Sequence, residues 1–208
     1  MFRLCQIVIR RGFATQSIKC WKCQTNVPLG NGTTFCSSCK SIQPLGSNIN
    51  YFSYLDVEKN FKIDEKELQK KFHSIQSNVH PDKFSGKESN EKDLSEKHSR
   101  YLNEAYNTLK NPRKRAVYLL EHLTGSSVEE PTDDAMAKDM FDFMQKVDSV
   151  NEPKAIEELG AEIGLEVSNL MKEVEECFNK SDTKKAKSLL NRLRYYERAQ
   201  KILEKKMQ

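Results

Sequence analysis

An all-α fold is predicted for this chain: a helical hairpin, then a three-helix bundle, with a small four-cysteine module ahead of both. Three observations predict it. Apolar residues recur at helical spacing through most of residues 51–208. Turn formers at Gly125-Ser126-Ser127 and Pro131-Thr132-Asp133 divide that region in two. Two CxxC pairs stand together in a segment too small to bury a sufficient core of its own.

The chain has 208 residues, enough for one or two domains, and a net charge of +4. That charge is uneven. Residues 1–55 hold six Lys/Arg and no Asp or Glu, so the remainder is net −2. A near-neutral body argues against nucleic acid as a general partner. No apolar run is long enough to cross a bilayer, so no membrane association is predicted.

Residues 1–19, MFRLCQIVIRRGFATQSIK, are basic, acid-free and contain Ser and Thr. Phe2, Leu4, Ile7, Val8 and Ile9 can share one helical face, with Arg3, Arg10 and Arg11 around it. This composition predicts a mitochondrial transit peptide, cut near 13/14, and a matrix location with a cytosolic pool left open. A disordered basic tail or a weak signal peptide would share part of the pattern.

Residues 20–46 contain Cys20-Trp21-Lys22-Cys23 and Cys36-Ser37-Ser38-Cys39, twelve residues apart. Each pair can present two thiolates to one tetrahedral ion, and four thiolates close the shell of Zn²⁺. A zinc-ribbon-like module with one structural zinc ion is therefore predicted. The intervening Pro28, Gly30, Asn31 and Gly32 let Gln24–Phe35 turn back as a hairpin. Two disulfides, a redox CxxC pair or an iron-type site use the same residues, although a reducing matrix disfavours stable disulfides. Of the other cysteines, Cys5 falls in the leader. Cys177 lies on an apolar stripe and reads as a small core residue.

Residues 51–124 open with Tyr51-Phe52-Ser53-Tyr54-Leu55. Asp64-x-x-Glu67 then reads as a capping box. Leu68, Phe72, Ile75 and Val79 form one helical stripe, with Lys66, Lys70 and Lys71 off it. Pro81 ends this helix, because the residue before a proline is driven out of helical geometry. Lys83–Asn90 reads as a loop. A long helix follows, with Leu94, Tyr101, Leu102, Ala105 and Leu109 inward, and a last one runs from about Arg113 to Leu123.

Between the first two helices stands His80-Pro81-Asp82. Pro81 fixes its own φ and removes an N–H, so little freedom is left to lose on binding. His80 offers a hydrogen bond or a charge, and Asp82 an acceptor for Arg or a backbone donor. The basic face beside it suits an acidic partner surface. The bland alternative is a turn-forming Pro-Asp beside a bystander His. Catalysis is disfavoured: residues two apart around a proline do not make a base–orienter pair, and no nucleophile is signalled.

In residues 132–208, three stripes predict three helices: Met136, Met140, Phe143, Val147 and Val150; Ile156, Leu159, Ile163, Val167, Leu170 and Val174; Leu189, Leu193, Tyr196 and on towards Leu203. Amphipathic helices with short connections bury such stripes against one another. Gly160 and Gly164 predict a kink or split in the middle helix. No internal repeat is evident.

Together YFSYLDV, VHPDKF, EKDLSEKHSRYLNEAYNTLKNPRKRAVYLLE and LNRLRYYERAQKILEKK resemble the HscB family of J-type co-chaperones for iron–sulfur cluster assembly. The likeness spans about 51–208, and CWKC…CSSC looks like the N-terminal extension of animal-type members. The resemblance implies a J-domain over 51–124 and a scaffold-binding bundle over 132–208. It implies a non-enzymatic role in which His80, Pro81 and Asp82, with Lys66, Lys70 and Lys71, engage a mitochondrial DnaK-type chaperone and stimulate its ATPase. It also implies that Phe143, Met144, Val147 and Asp148, with Tyr195, bind an IscU-type cluster scaffold. The periodicity alone leaves Phe143 and Val147 equally open as core, whereas Met144 and Tyr195 fall one position off their stripes. No oligomeric state is implied. A general J-protein for unfolded clients, or a zinc-ribbon module for nucleic acid or metal transfer, are the competing readings.

Overall fold

The computed structural model describes residues 17–28, 34–128 and 134–207, with backbone only for 134–137. The leader's cleavage position and the side chain of Met136 lie outside these described residues. The elements are β1 (Ser17–Lys19), β2 (Asn26–Pro28), α1 (Tyr51–Tyr54), α2 (Glu65–Val79), α3 (Ser89–Lys110), α4 (Pro112–Thr124), α5 (Asp134–Ser149), α6 (Pro153–Asn179) and α7 (Thr183–Lys206). A short 3-10 turn covers Pro81–Phe84. No described helix is long and apolar enough to cross a membrane.

The helix starts follow local chemistry. Asn50 and Ser53 cap α1 reciprocally. Asp64 Oδ1 accepts from the amides of Lys66 and Glu67 at 2.8 and 3.2 Å, as its place in the sequence predicts. Asn111 caps α4 with Pro112 at the first helical position, and Gly125 ends that helix at φ 66°. Asp182 caps α7.

Packing groups the described residues into two compact units. One contains the described residues up to Val57 together with Lys70–Asn103, and the other contains Glu58–Gln69 and the described residues from Glu104 onward. In the first unit, Phe52, Tyr54, Leu55, Val79, Leu94 and Leu102 form the core. Phe84 is also buried, so the stretch read as a loop from Lys83 holds an anchor, and α3 begins already at Ser89.

In the second unit α7 packs against α5, α6 and α4. The predicted stripes supply its interior: Met140 and Val147 from α5; Ile156, Ile163, Leu170 and Val174 from α6; Leu190, Leu193, Ala199 and Leu203 from α7. Phe61, from the segment between α1 and α2, stacks on Phe178 at 5.3 Å, and the Arg115 guanidinium lies over the same ring. These contacts draw α4 and the residues before α2 into this unit. Helix α6 is one uninterrupted helix, contrary to the expected break at Gly160 and Gly164. Burial of its long stripe outweighs the roughly 1 kcal/mol that each glycine costs.

Candidate functional site

The cysteine module begins earlier than expected. Strand β1 uses Ser17–Lys19, residues read as the end of the leader, and pairs antiparallel with β2. The first CxxC forms the tip of this hairpin, and the turn expected at Gly30-Asn31-Gly32 lies outside the described residues. The second CxxC is framed likewise by the Phe35–Ile42 bridge. The two knuckles repeat each other in backbone detail. Gln24 N–H donates to the Cys20 carbonyl and Lys40 N–H to the Cys36 carbonyl, both at 3.0 Å. Gln24 and Lys40 both adopt φ 61°.

This geometry brings Cys20, Cys23, Cys36 and Cys39 together, with all four sulfurs within 4.8 Å of one another. Cys20 Sγ lies 3.6 Å from Cys39 Sγ, and Cys23 Sγ lies 3.7 Å from Cys36 Sγ. A tetrahedral ion bound at about 2.3 Å would set its sulfurs about 3.8 Å apart, so the spacing fits one shared ion. All four are free thiols. Burial alone would raise the Cys20 pKa, but N–H donors from Cys23 and Lys22 and the Ser41 hydroxyl bring it down to about 5. A thiolate-ready sulfur of this kind is what a metal ligand requires.

Around the four sulfurs lies a layer that the sequence does not signal. Gln43 Nε2 donates to Cys20 Sγ at 3.3 Å and to Ser41 Oγ at 2.9 Å. The Gln43 carbonyl receives His98 Nε2 at 2.8 Å, and His98 Nδ1 meets the Tyr54 hydroxyl at 2.8 Å. A carbonyl only accepts, so Nε2 carries the proton and Nδ1 accepts from Tyr54. His98 is 1% exposed, and burial lowers its pKa.

His80, Pro81 and Asp82 sit on the 3-10 turn after α2. The Asp82 N–H donates to His80 Nδ1 at 3.3 Å, which leaves Nε2 outward. His80 Nδ1 also lies 3.4 Å from Asp82 Oδ2. The Asp82 side chain is 89% exposed. Lys66 and Lys70 are exposed on α2. Lys71 instead pairs with Asp56.

On α5 and α7 the expected patch is partly corrected. Val147 is fully buried and is core; a side chain sealed from water cannot touch a partner. Phe143 is half-buried, with its ring 4.8 Å from that of Tyr196. Met144 and Tyr195 are half-buried, Tyr195 lies under the Arg194 guanidinium, and Asp148 is exposed. Beside Phe143 a cleft of about 280 Å³ opens, bordered by the Arg192–Glu166 pair. Phe141, 61% exposed on α5, was not anticipated.

Comparison with known proteins gives two family matches: "DnaJ domain" over residues 50–118 and "HSCB C-terminal oligomerisation domain" over 135–204. The chain is 33% identical over 183 residues to the iron-sulfur cluster co-chaperone protein HscB of Mus musculus, covering 86% of this chain and 78% of that one. It is 32% identical to the Homo sapiens protein of the same description, over 86% of this chain and 77% of that one. The crystal structure of human co-chaperone protein HscB superposes with a TM-score of 0.83 at 30% identity, over 91% of this chain and 98% of that one. Chaperone HscB from Vibrio cholerae shares the fold, with a TM-score of 0.66 at 21% identity, over 76% and 96%.

Proposed function

The chain belongs to the HscB family of iron–sulfur cluster co-chaperones, and we propose that it delivers an IscU-type cluster scaffold to a mitochondrial DnaK-type chaperone and stimulates that chaperone's ATPase. The observation that carries this reading is the turn at Pro81–Phe84, anchored inward by buried Phe84 while His80 and Asp82 face water. Its conformation is set before any partner arrives, which lowers the entropy cost of docking. His80 Nε2 and the Asp82 carboxylate then offer a donor and an acceptor, and Lys66 and Lys70 add positive charge for an acidic surface. ATP is hydrolysed in the partner, so no catalytic group is required of this chain.

In the second compact unit, Met144, Tyr195, Phe143 and Asp148 combine apolar and charged contact groups, the make-up of a partner site. The four cysteines would hold one Zn²⁺ ion, which supplies the folding energy that so small a ribbon lacks. The acid-free basic N-terminal stretch and the eukaryotic relatives support import into the matrix.

The test is His80→Gln in a reconstituted ATPase assay. Stimulation of the chaperone is expected to vanish while scaffold affinity, measured by calorimetry, holds. An unchanged stimulated rate would reject the reading. A pull-down from matrix extract should recover one dominant scaffold, whereas a general J-protein would recover many clients.

A further inference from the structure

We propose that the four-cysteine centre is a stability element of the J-domain as well as of its own ribbon, coupled to it through a buried chain from Cys20 through Gln43 and His98 to Tyr54. Each link is short: 3.3 Å from Gln43 Nε2 to Cys20 Sγ, 2.8 Å from His98 Nε2 to the Gln43 carbonyl, and 2.8 Å from the Tyr54 hydroxyl to His98 Nδ1. Gln43, His98 and Tyr54 are each no more than 1% exposed. Water cannot replace a broken link there, and an unpaired buried polar group is costly. The chain therefore forms whole or is lost whole.

It also crosses three segments that the sequence holds far apart: the ribbon, α1 and the middle of α3. Tyr54 is further fixed by edge-on packing against Tyr101 of α3, with ring centres 5.0 Å apart. Tyr101 in turn donates to the Ile49 carbonyl at 2.6 Å, in the segment joining ribbon to α1.

A second grip lies at the start of α3. Lys22, inside the first CxxC, reaches Glu88 at 3.1 Å and Glu91 at 3.6 Å. Glu91 is 6% exposed, unusual for a carboxylate. The loop that carries His80-Pro81-Asp82 ends where these two glutamates begin. A metal ion that fixes the knuckle fixes Lys22 with it, and so restrains the loop from its far end.

The inference rests on the reading that these thiols hold zinc, and it is independent of chaperone and scaffold. Coupling of this kind is reciprocal: what the ion contributes to α3, α3 returns to the ion. The experiment uses the full chain with zinc alone. Amide hydrogen exchange is followed for α1 and the 89–103 half of α3, with zinc bound and after its removal by a chelator. Exchange there is expected to speed up by about tenfold or more on zinc removal. Tyr54→Phe deletes one hydroxyl and is expected to retain the fold. It should release zinc to a chromophoric chelator roughly fivefold faster. Gln43→Ala, which removes the direct donor to Cys20, should do so roughly 10–100-fold faster. Cobalt substitution should still give a four-thiolate spectrum in both.

Val147→Ala is the control, because it opens a cavity at a fully buried position in the other compact unit, outside this chain of hydrogen bonds. It should leave zinc release unchanged. Unaltered α3 exchange on zinc removal overturns the coupling, as does equal zinc release from Tyr54→Phe and wild type. Release from Val147→Ala as fast as from Tyr54→Phe overturns it too. Failure to bind one zinc per chain overturns the metal reading and the coupling together, but leaves the chaperone reading standing.

Discussion

The ammonium of Lys206, in the last turn of α7, donates to the Asp148 carbonyl at 2.6 Å, in the last turn of α5. The same group reaches the carbonyls of Val147 at 3.1 Å and Val150 at 2.7 Å. The last carbonyls of a helix have no intrahelical donor and carry the negative end of its dipole, so a cation there answers both needs. Lys206→Met should therefore cost about 1–2 kcal/mol of stability. Urea unfolding measures it, and the loss should exceed that of Lys205→Met, whose exposed ammonium has no such acceptors among the described residues.

Gly160 and Gly164 sit in α6 without being needed there. A Cβ at Gly160 would meet nothing within 4 Å, and one at Gly164 would lie 3.9 Å from Gln200 Nε2. Replacing Gly160 by Ala should stabilise the bundle by up to about 1 kcal/mol. A lower melting temperature would show that the helix needs the glycine after all.

Val147 and its neighbours can be separated by experiment. Met144→Ala with Tyr195→Ala should weaken scaffold binding by about 1 kcal/mol or more while leaving the melting temperature nearly unchanged. Val147→Ala should lower stability by roughly 2 kcal/mol instead, because it opens a cavity in the core. Calorimetry and thermal melts on the same samples tell the two apart.

His98 makes stability depend on pH in a definite direction. Burial holds its folded-state pKa below the ordinary imidazole value of about 6.5. The unfolded chain therefore takes up the proton first as pH falls. The stability that His98 contributes is full above that ordinary value and is lost as pH falls below it, towards the folded pKa. Unfolding free energy with zinc in excess should drop between pH 7.5 and 5.5 by more in the wild type than in His98→Gln. The difference in slope is bounded by about 1.4 kcal/mol per pH unit, one proton's worth.

Much of this molecule was legible from local pattern. The stripe Leu68-Phe72-Ile75-Val79, the caps at Asp64 and Asn111 and the interruption by Pro81 each depend on residues within one or two turns. So do the two CxxC knuckles. The end of α2 before Pro81 followed from the same local rules, since the residue before a proline is driven out of helical geometry.

What the sequence alone determined is thus the helices, the two CxxC pairs and the turn at His80-Pro81-Asp82, because helix formation and knuckle geometry are short-range. Tertiary structure decided the rest. It sealed Val147 and left Phe141 exposed two turns away on the same helix. It turned Lys71 to Asp56, stacked Phe61 on Phe178, and joined Gln43, His98 and Tyr54 into one buried chain. Each of these depends on which segment arrives opposite from tens of residues away. Periodicity reports the face that a side chain occupies and is silent about what packs against it.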